Sequence, residues 1–367
     1  MDFTLSEDHT LLKDMVARFV REQCGFESRD KILKSAAGHS ADTWAQMVEL
    51  GLVAAALPER VGGLGGSGLD IMVVMEELGR GIVIEPYLAT AIIGAGLLAE
   101  DDAGGRGPAV LDEVVAGGLK LALAHYEPEA RYNAAKVDAT LNGGVLDGAK
   151  SVVINGGDAD SFVVSAKDGG QLVLALVPAD RDGVSVRAYK THDGFGAAEL
   201  TFERVQIEAD DILFKGEAAE KALSNALARA TFALCAESLG AMEHARDATL
   251  EYLRTRTQFG VPIGKFQVLQ HRMVDMCLEI EQARSIVLLA ASKLDDEDRE
   301  KHLSAAKALV GRVGRMVAEE AVQMHGGIGV TWELPLAHVA KRLVMIDHYF
   351  GDTDHHLKRF KALSNAA

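Results

Sequence analysis

Apolar residues return at helical spacing from the start of the chain. Leu11, Leu12, Met15, Val16, Phe19 and Val20 line one face of a helix. Ser6 is placed to cap it, with Glu7 and Asp8 in the first turn, where the helix dipole favours anions. A second helix carries Trp44, Met47 and Val48 and ends at Gly51. Pro58 to Gly68, PERVGGLGGSG, reads as a loop, and helices resume around IMVVMEELGR and ATAIIGAGLLAE.

Between about Leu119 and Asp210 the period changes. The runs KLALAHY, AKVDATL, SVVI, SFVVSA, QLVLALV, VSVRAY and ELTFERVQI are separated by turn residues at 142–144, 147–148, 155–158, 168–170 and 182–183. Many short strands with regular turns predict an antiparallel sheet or barrel rather than a βαβ array. From about Lys215 the chain is helical again, over about 222–257, 266–293, 299–325 and 334–350, with DDEDRE as a charged connector. Long helices joined by short loops make a bundle. The fold class is α+β, with domains expected at 1–118 (helical), 119–214 (β) and 215–367 (helical bundle).

Composition adds limits. With 367 residues, 48% of them hydrophobic and 25% charged, the chain can bury two or three cores. A net charge of −16 argues against nucleic acid as a partner, since phosphate binding needs a basic surface. Cys24, Cys235 and Cys277 are far apart and read as reduced thiols, with neither a disulfide framework nor a zinc site. MDFTLSEDHT is too acidic for a signal peptide, and no apolar run reaches transmembrane length. The expectation is a soluble cytoplasmic protein with no membrane or nucleic-acid partner.

Four stretches carry candidate chemistry. Gly63 to Gly68, GLGGSG, has the spacing of a dinucleotide fingerprint, but a helix and a Pro58 turn precede it where a strand is needed, so a flexible surface loop is expected. His348, Asp352, His355 and His356 are close in sequence, but Gly351 breaks the helix between them; they read as the start of a last helix capped by Asp352 or Thr353, with no metal site. RTQFGVPIGKFQVLQHRMVDM, Arg256 to Met276, puts an arginine at a helix C-terminus and Gln267 and Gln270 in the first turn of the next helix. An arginine fork beside free helix N–H groups suits a pyrophosphate; equally, Phe259 and Phe266 could be core and Arg256 could pair with a carboxylate. QMHGGIGV, Gln323 to Val330, is a helix end whose glycines serve either as a C-cap or for close approach to a helix or flat ring.

Together these segments resemble the acyl-CoA dehydrogenase family over essentially the whole chain. The most specific parts are RTQFGVPIGKFQVLQHRMVDM and QMHGGIGVTWELPLAHVAKR, supported by Trp44–Leu52, PERVGG, EELGRG and GAKSVVINGGDADSFVVSA. The resemblance implies a helical N-terminal domain, a central β domain and a C-terminal four-helix bundle. It also implies FAD, an acyl-CoA substrate, a tetramer and an electron-transfer flavoprotein or similar acceptor. The family's R-x-x-F corner and Q-x-x-G-G helix end hold the ADP half of a neighbouring subunit's FAD. They map to Arg256, Gln258, Phe259, Gln267, Gln323, Gly326 and Gly327, all present here.

The other half of the family pattern is broken. The flavin-facing W-I-T-N-G is Val152, Val153, Ile154, Asn155 and Gly156. Of the loop T-E-P-G-A-G-S-D only Tyr126, Glu127 and Pro128 remain. The base position of I-Y-E-G-T is Phe350, and the alternative base position maps to about Ala230. The one-sided loss implies one subunit of an α2β2 assembly, as in bacterial members that act on steroid side chains, with the flavin pocket and glutamate base on a homologous partner. No catalytic residue is then expected in this chain. The alternatives are a self-sufficient homotetrameric dehydrogenase or oxidase using Glu237 or Asp352, and a purely structural subunit.

Overall fold

The computed structural model describes residues 5–35, 38–101 and 103–365; the first four residues of the acidic N-terminal stretch lie outside them. Among the described residues seven α-helices come first: α1 (Glu7–Gln23), α2 (Phe26–Lys34), α3 (Ala41–Glu49), α4 (Leu52–Ala55), α5 (Gly68–Gly81), α6 (Gly96–Leu98) and α7 (Gly107–Val115). The strands follow as β1 (Leu121–Ala124), β2 (Thr140–Asn142), β3 (Val145–Ile154), β4 (Ser161–Asp168), β5 (Gln171–Pro178), β6 (Val184–Lys190), β7 (Gly196–Gln206) and β8 (Ile212–Lys215). Then come α8 (Glu217–Thr255), the short strands β9 (Thr257–Gln258) and β10 (Val261–Pro262), and α9 (Gln267–Ser292), α10 (Arg299–His325), α11 (Pro335–His348) and α12 (Thr353–Asn365). The chain divides into two compact units. One comprises residues up to Arg29, Gly68–Val83 and the chain from Thr231 on; the other comprises Asp30–Ser67 and Ile84–Ala230.

Local chemistry sets the element ends. Ser6 Oγ accepts from the His9 amide at 3.2 Å and starts α1. Gly51, at φ 74°, follows α3 in the left-handed region. Helix α2 escaped the apolar pattern because its one buried residue is Arg29, whose Nη1 donates to the Ile82 carbonyl at 2.6 Å. The ATAIIGAGLLAE stretch is helical as expected, but Leu88–Ala95 forms a π-helix before α6.

The unit built around the β-rich segment holds one sheet in the order β6-β7-β3-β2-β4-β5-β8, with β1 also paired to β4. Most pairs are antiparallel, as the turn spacing predicts. Two are not: β1 runs parallel to β4 along Ser161–Val164, and β2 meets the same strand in parallel at Lys167. Glycine pairs with positive φ make the two-residue hairpins, Gly143–Gly144 between β2 and β3 and Gly169–Gly170 between β4 and β5. Asp147–Gly148, expected as a turn, lies inside β3, where the register against β7 skips between Leu146 and Gly148. A Cβ on Gly148 would sit 2.8 Å from the Ala139 Cα, so the glycine permits a bulge instead. Phe162, Val164, Val173, Val177, Leu200 and Phe202 fill the core beneath.

In the other unit α10 packs against α9, α11 and α12, and α1 lies on α5. Helix α5 crosses α8 where two glycines interlock. A Cβ on Gly79 would lie 2.0 Å from the Glu237 carbonyl oxygen, and one on Gly240 would lie 1.8 Å from that of Glu76. Among the described residues no helix is long and apolar enough to cross a membrane.

Candidate functional site

The site grows out of three helix ends. Helix α8 closes with the Arg256 amide donating to the Tyr252 carbonyl at 2.8 Å. The chain then turns back through the β9–β10 hairpin, whose tip is Phe259 (φ 55°) and Gly260 (φ 82°). The Ile263 amide donates to the Arg256 carbonyl at 2.8 Å, and Gln270 Nε2 donates to the Gly264 carbonyl at 2.9 Å. These bonds tie the hairpin to both flanking helices. Helix α9 starts at Gln267 with no side-chain cap; the Leu269 amide donates back to the Phe266 carbonyl at 3.0 Å, which leaves the Gln267 and Val268 amides for an anion.

The corner's chemistry faces outward. Arg256, Gln258 and Gln267 are exposed, and Phe259 is 91% exposed, its ring edge-on to Phe266 at 6.1 Å. Among the described residues no carboxylate pairs with Arg256. The alternative in which Phe259 is core and Arg256 is neutralised is therefore overturned. The third helix end, α10, brings Gln323, exposed in its last turn, and exposed Gly326 and Gly327. The Gly326 amide donates back to the Val322 and Gln323 carbonyls, and its φ of 67° ends the helix. A Cβ on Gly326 or Gly327 would meet nothing within 4 Å, so their backbone is open to close approach. Tyr252 of α8 and His325 of α10 stack at 4.3 Å with 22° between planes, which holds the two ends together. The sequence reading missed this pair, although each lies within four residues of a predicted site residue.

The expected flavin face looks different. Val152 stands at φ 51°, an uncommon conformation for a β-branched residue, and is 47% exposed. Its amide is directed to Glu199 Oε1 at 3.4 Å, which also accepts from the Tyr189 hydroxyl at 2.9 Å. Glu127 is buried in structure rather than offered to a ligand. It accepts from Lys150 Nζ at 2.7 Å and from the Asp138 and Ala139 amides.

Neither fallback acid is poised as a base. Glu237 is 4% exposed and forms a two-pronged pair with buried Arg342, at 2.6 and 2.7 Å. Asp352 Oδ1 accepts from the His355 amide at 2.8 Å and caps α12. Phe350 occupies the turn between α11 and α12 at φ 57°. The turn is held from within: fully buried Lys307 donates to the Asp347 and Gly351 carbonyls at 2.9 and 2.7 Å, and His356 Nε2 donates to the Phe350 carbonyl at 3.1 Å. Burial pushes the His356 pKa down to about 3, helped by Lys307, so its ring is neutral and free to donate only once. GLGGSG, expected as a flexible loop, is instead tightly packed. The Leu64, Gly65 and Gly66 amides donate to the Ala54, Leu57 and Ala55 carbonyls, and Gly63 and Gly66 press on the Leu57 backbone.

Comparison with known proteins decides the family. The acyl-CoA dehydrogenase N-terminal, middle and C-terminal domain models match residues 6–100, 122–205 and 220–361. The chain belongs to the acyl-CoA dehydrogenase family. It is 30% identical to the acyl-CoA dehydrogenase IpdE2 of Mycobacterium tuberculosis over 332 residues, covering 90% of this chain and 89% of that one. Among solved structures it is similar to the ChsE4-ChsE5 complex from Mycobacterium tuberculosis, with a TM-score of 0.90, 26% identity and full coverage of both chains. The Tcur3481-Tcur3483 steroid ACAD is also similar, with a TM-score of 0.88, 29% identity and 99% coverage of each chain. FAD is the cofactor of this family, as the sequence resemblance implies. The structure fits its two halves unequally. The exposed arginine, uncapped helix amides and open glycines suit a diphosphate and a flat ring. The family's tryptophan and threonine are Val152 and Ile154 here, while beside them Asn155 keeps a buried Nδ2 with no hydrogen-bond partner among the described residues.

Proposed function

We propose that this acyl-CoA dehydrogenase chain is the nucleotide-holding member of a two-subunit enzyme. Arg256, Gln258, Phe259, Gln267, Gln323, Gly326 and Gly327 hold the ADP half of an FAD whose reactive ring lies on a homologous partner in an α2β2 assembly. When bound, FAD supplies the hydride-accepting N5 for α,β-dehydrogenation of an acyl-CoA thioester. The partner supplies the carboxylate that removes the α-proton. The domain limits are 1–118, 119–214 and 215–367, the location is cytoplasmic, and an electron-transfer flavoprotein or similar acceptor reoxidises the flavin. A steroid or other bulky acyl-CoA is the substrate class, supported by the steroid ACAD among the similar structures.

One observation carries the reading: Arg256 is exposed with no carboxylate partner among the described residues, while neither candidate acid is free to act as a base. Glu237 is locked to Arg342, Asp352 caps a helix, and Phe350 and Ala230 have no acid function. The test is co-expression with a homologue that carries the missing glutamate, followed by flavin counting. The purified complex should hold one FAD per pair of unlike chains, and Arg256→Ala should empty it. Full flavin content in Arg256→Ala would favour a purely structural subunit.

A further inference from the structure

Two rings just behind the nucleotide-binding residues set how those residues stand to one another. Tyr252 lies one helical turn before Arg256, and its own carbonyl receives the Arg256 amide. His325 lies between Gln323 and Gly326. Its Nδ1 lies 2.8 Å from the Ala321 carbonyl, an acceptor, so that nitrogen carries the proton and donates. Burial lowers the His325 pKa, which keeps the ring neutral in that tautomer. Gly329 closes the arrangement from below, where a Cβ would lie 3.1 Å from that of His325. The ring planes, 22° apart at 4.3 Å, meet across the gap between α8 and α10. Beyond them Phe259, Gly326 and Gly327 are exposed.

We propose that Tyr252 and His325 form a positioning clasp that fixes the distance between Arg256 and the Gln323–Gly327 segment. The clasp thereby sets the affinity for an adenosine diphosphate group. It touches neither the nucleotide nor the reacting atoms; it acts through the helix ends it joins. A site that must meet a diphosphate with a guanidinium on one helix and a ring with glycine backbone on another loses fit when the helices drift by about 1 Å. The inference rests on the nucleotide-holding reading above, and the experiment separates the two.

The full-length chain is titrated with ADP and followed by NMR, as wild type, Arg256→Ala, Tyr252→Phe, Tyr252→Leu and His325→Gln. Wild type should bind and Arg256→Ala should not; failure of either overturns the underlying reading and with it the clasp. Given that result, Tyr252→Phe keeps the stack and should bind within about twofold of wild type. Tyr252→Leu and His325→Gln keep a packed side chain but lose the stack, and should weaken ADP by about tenfold, the scale of a small misplacement. Hydrogen exchange should rise at 256–263 and 326–330 and stay at wild-type rates in the middle of α9 and α11. Wild-type ADP affinity in both variants would overturn the clasp. So would faster exchange spread evenly through the bundle, which is the mark of lost packing alone and remains readable even for a poorly folded variant.

Discussion

Glu237 and Arg342 are both almost fully buried, and each depends on the other. Replacing Glu237 with Gln leaves a guanidinium out of water without its carboxylate. Breaking such a pair by removing one partner costs about 3–5 kcal/mol, so Glu237→Gln should lower the urea midpoint sharply. If Glu237 were instead a catalytic base, the same variant would keep its stability and lose only turnover. Histidines give a second prediction at this scale. Burial pushes His125 down to about 4 and His356 to about 3 from an ordinary value of 6.5. The unfolded chain then binds more protons than the folded one below pH 6.5, so stability falls with pH from there towards those values. Each histidine contributes up to about 1.4 kcal/mol per pH unit in that window. Denaturation curves from pH 7 to 4 should flatten in His356→Gln, and an unchanged slope would contradict the assignment. These residues were only half legible in the sequence. Arg256 and Gln267 stand out because a helix end and a helix start frame them. The partner of Glu237 lies 105 positions away, and no local pattern points to it.

At the scale of elements, the α5–α8 crossing shows how two effects compete. Alanine is favoured over glycine inside a helix by about 1 kcal/mol. At Gly240, however, the added methyl would stand 1.8 Å from the Glu76 carbonyl oxygen and 2.8 Å from the Arg80 amide. Overpacking of this kind costs about 1–3 kcal/mol or more, and both contacts are backbone, which cannot swing aside. Gly240→Ala should therefore lower the melting temperature by several degrees; a rise would mean that helix propensity dominates. The long helices were legible because their periodicity runs for many turns, and α10 begins and ends where the pattern places it. The sheet was less so. A DG pair reads as a turn, but inside β3 Gly148 serves a bulge, and only pairing with β7 distinguishes the two. The parallel placement of β1 and β2 beside β4 depends on contacts 20 or more residues apart, which alternation along one strand does not encode.

For the whole molecule, the account is one of divided labour. This chain has built the surface that suits a dinucleotide's ADP end: an exposed arginine, uncapped amides, open glycines and a solvent-facing Phe259. Val152 and Ile154 stand where the family's flavin-facing tryptophan and threonine are expected. Phe350 stands where the family's base is expected, in a turn still anchored by Lys307 and His356. The family was readable from segment order and two motifs, and three domain models match it. The identity of a partner is not a property of this chain's own packing. The most direct test is the ratio of FAD to this chain in the enzyme purified with its co-expressed homologue, from flavin absorbance and quantitative amino-acid analysis of each subunit. The account predicts one FAD for each copy of this chain paired with one homologue, and no flavin on this chain purified alone. A chain that purifies alone with one FAD per copy and is bleached by an acyl-CoA would contradict it.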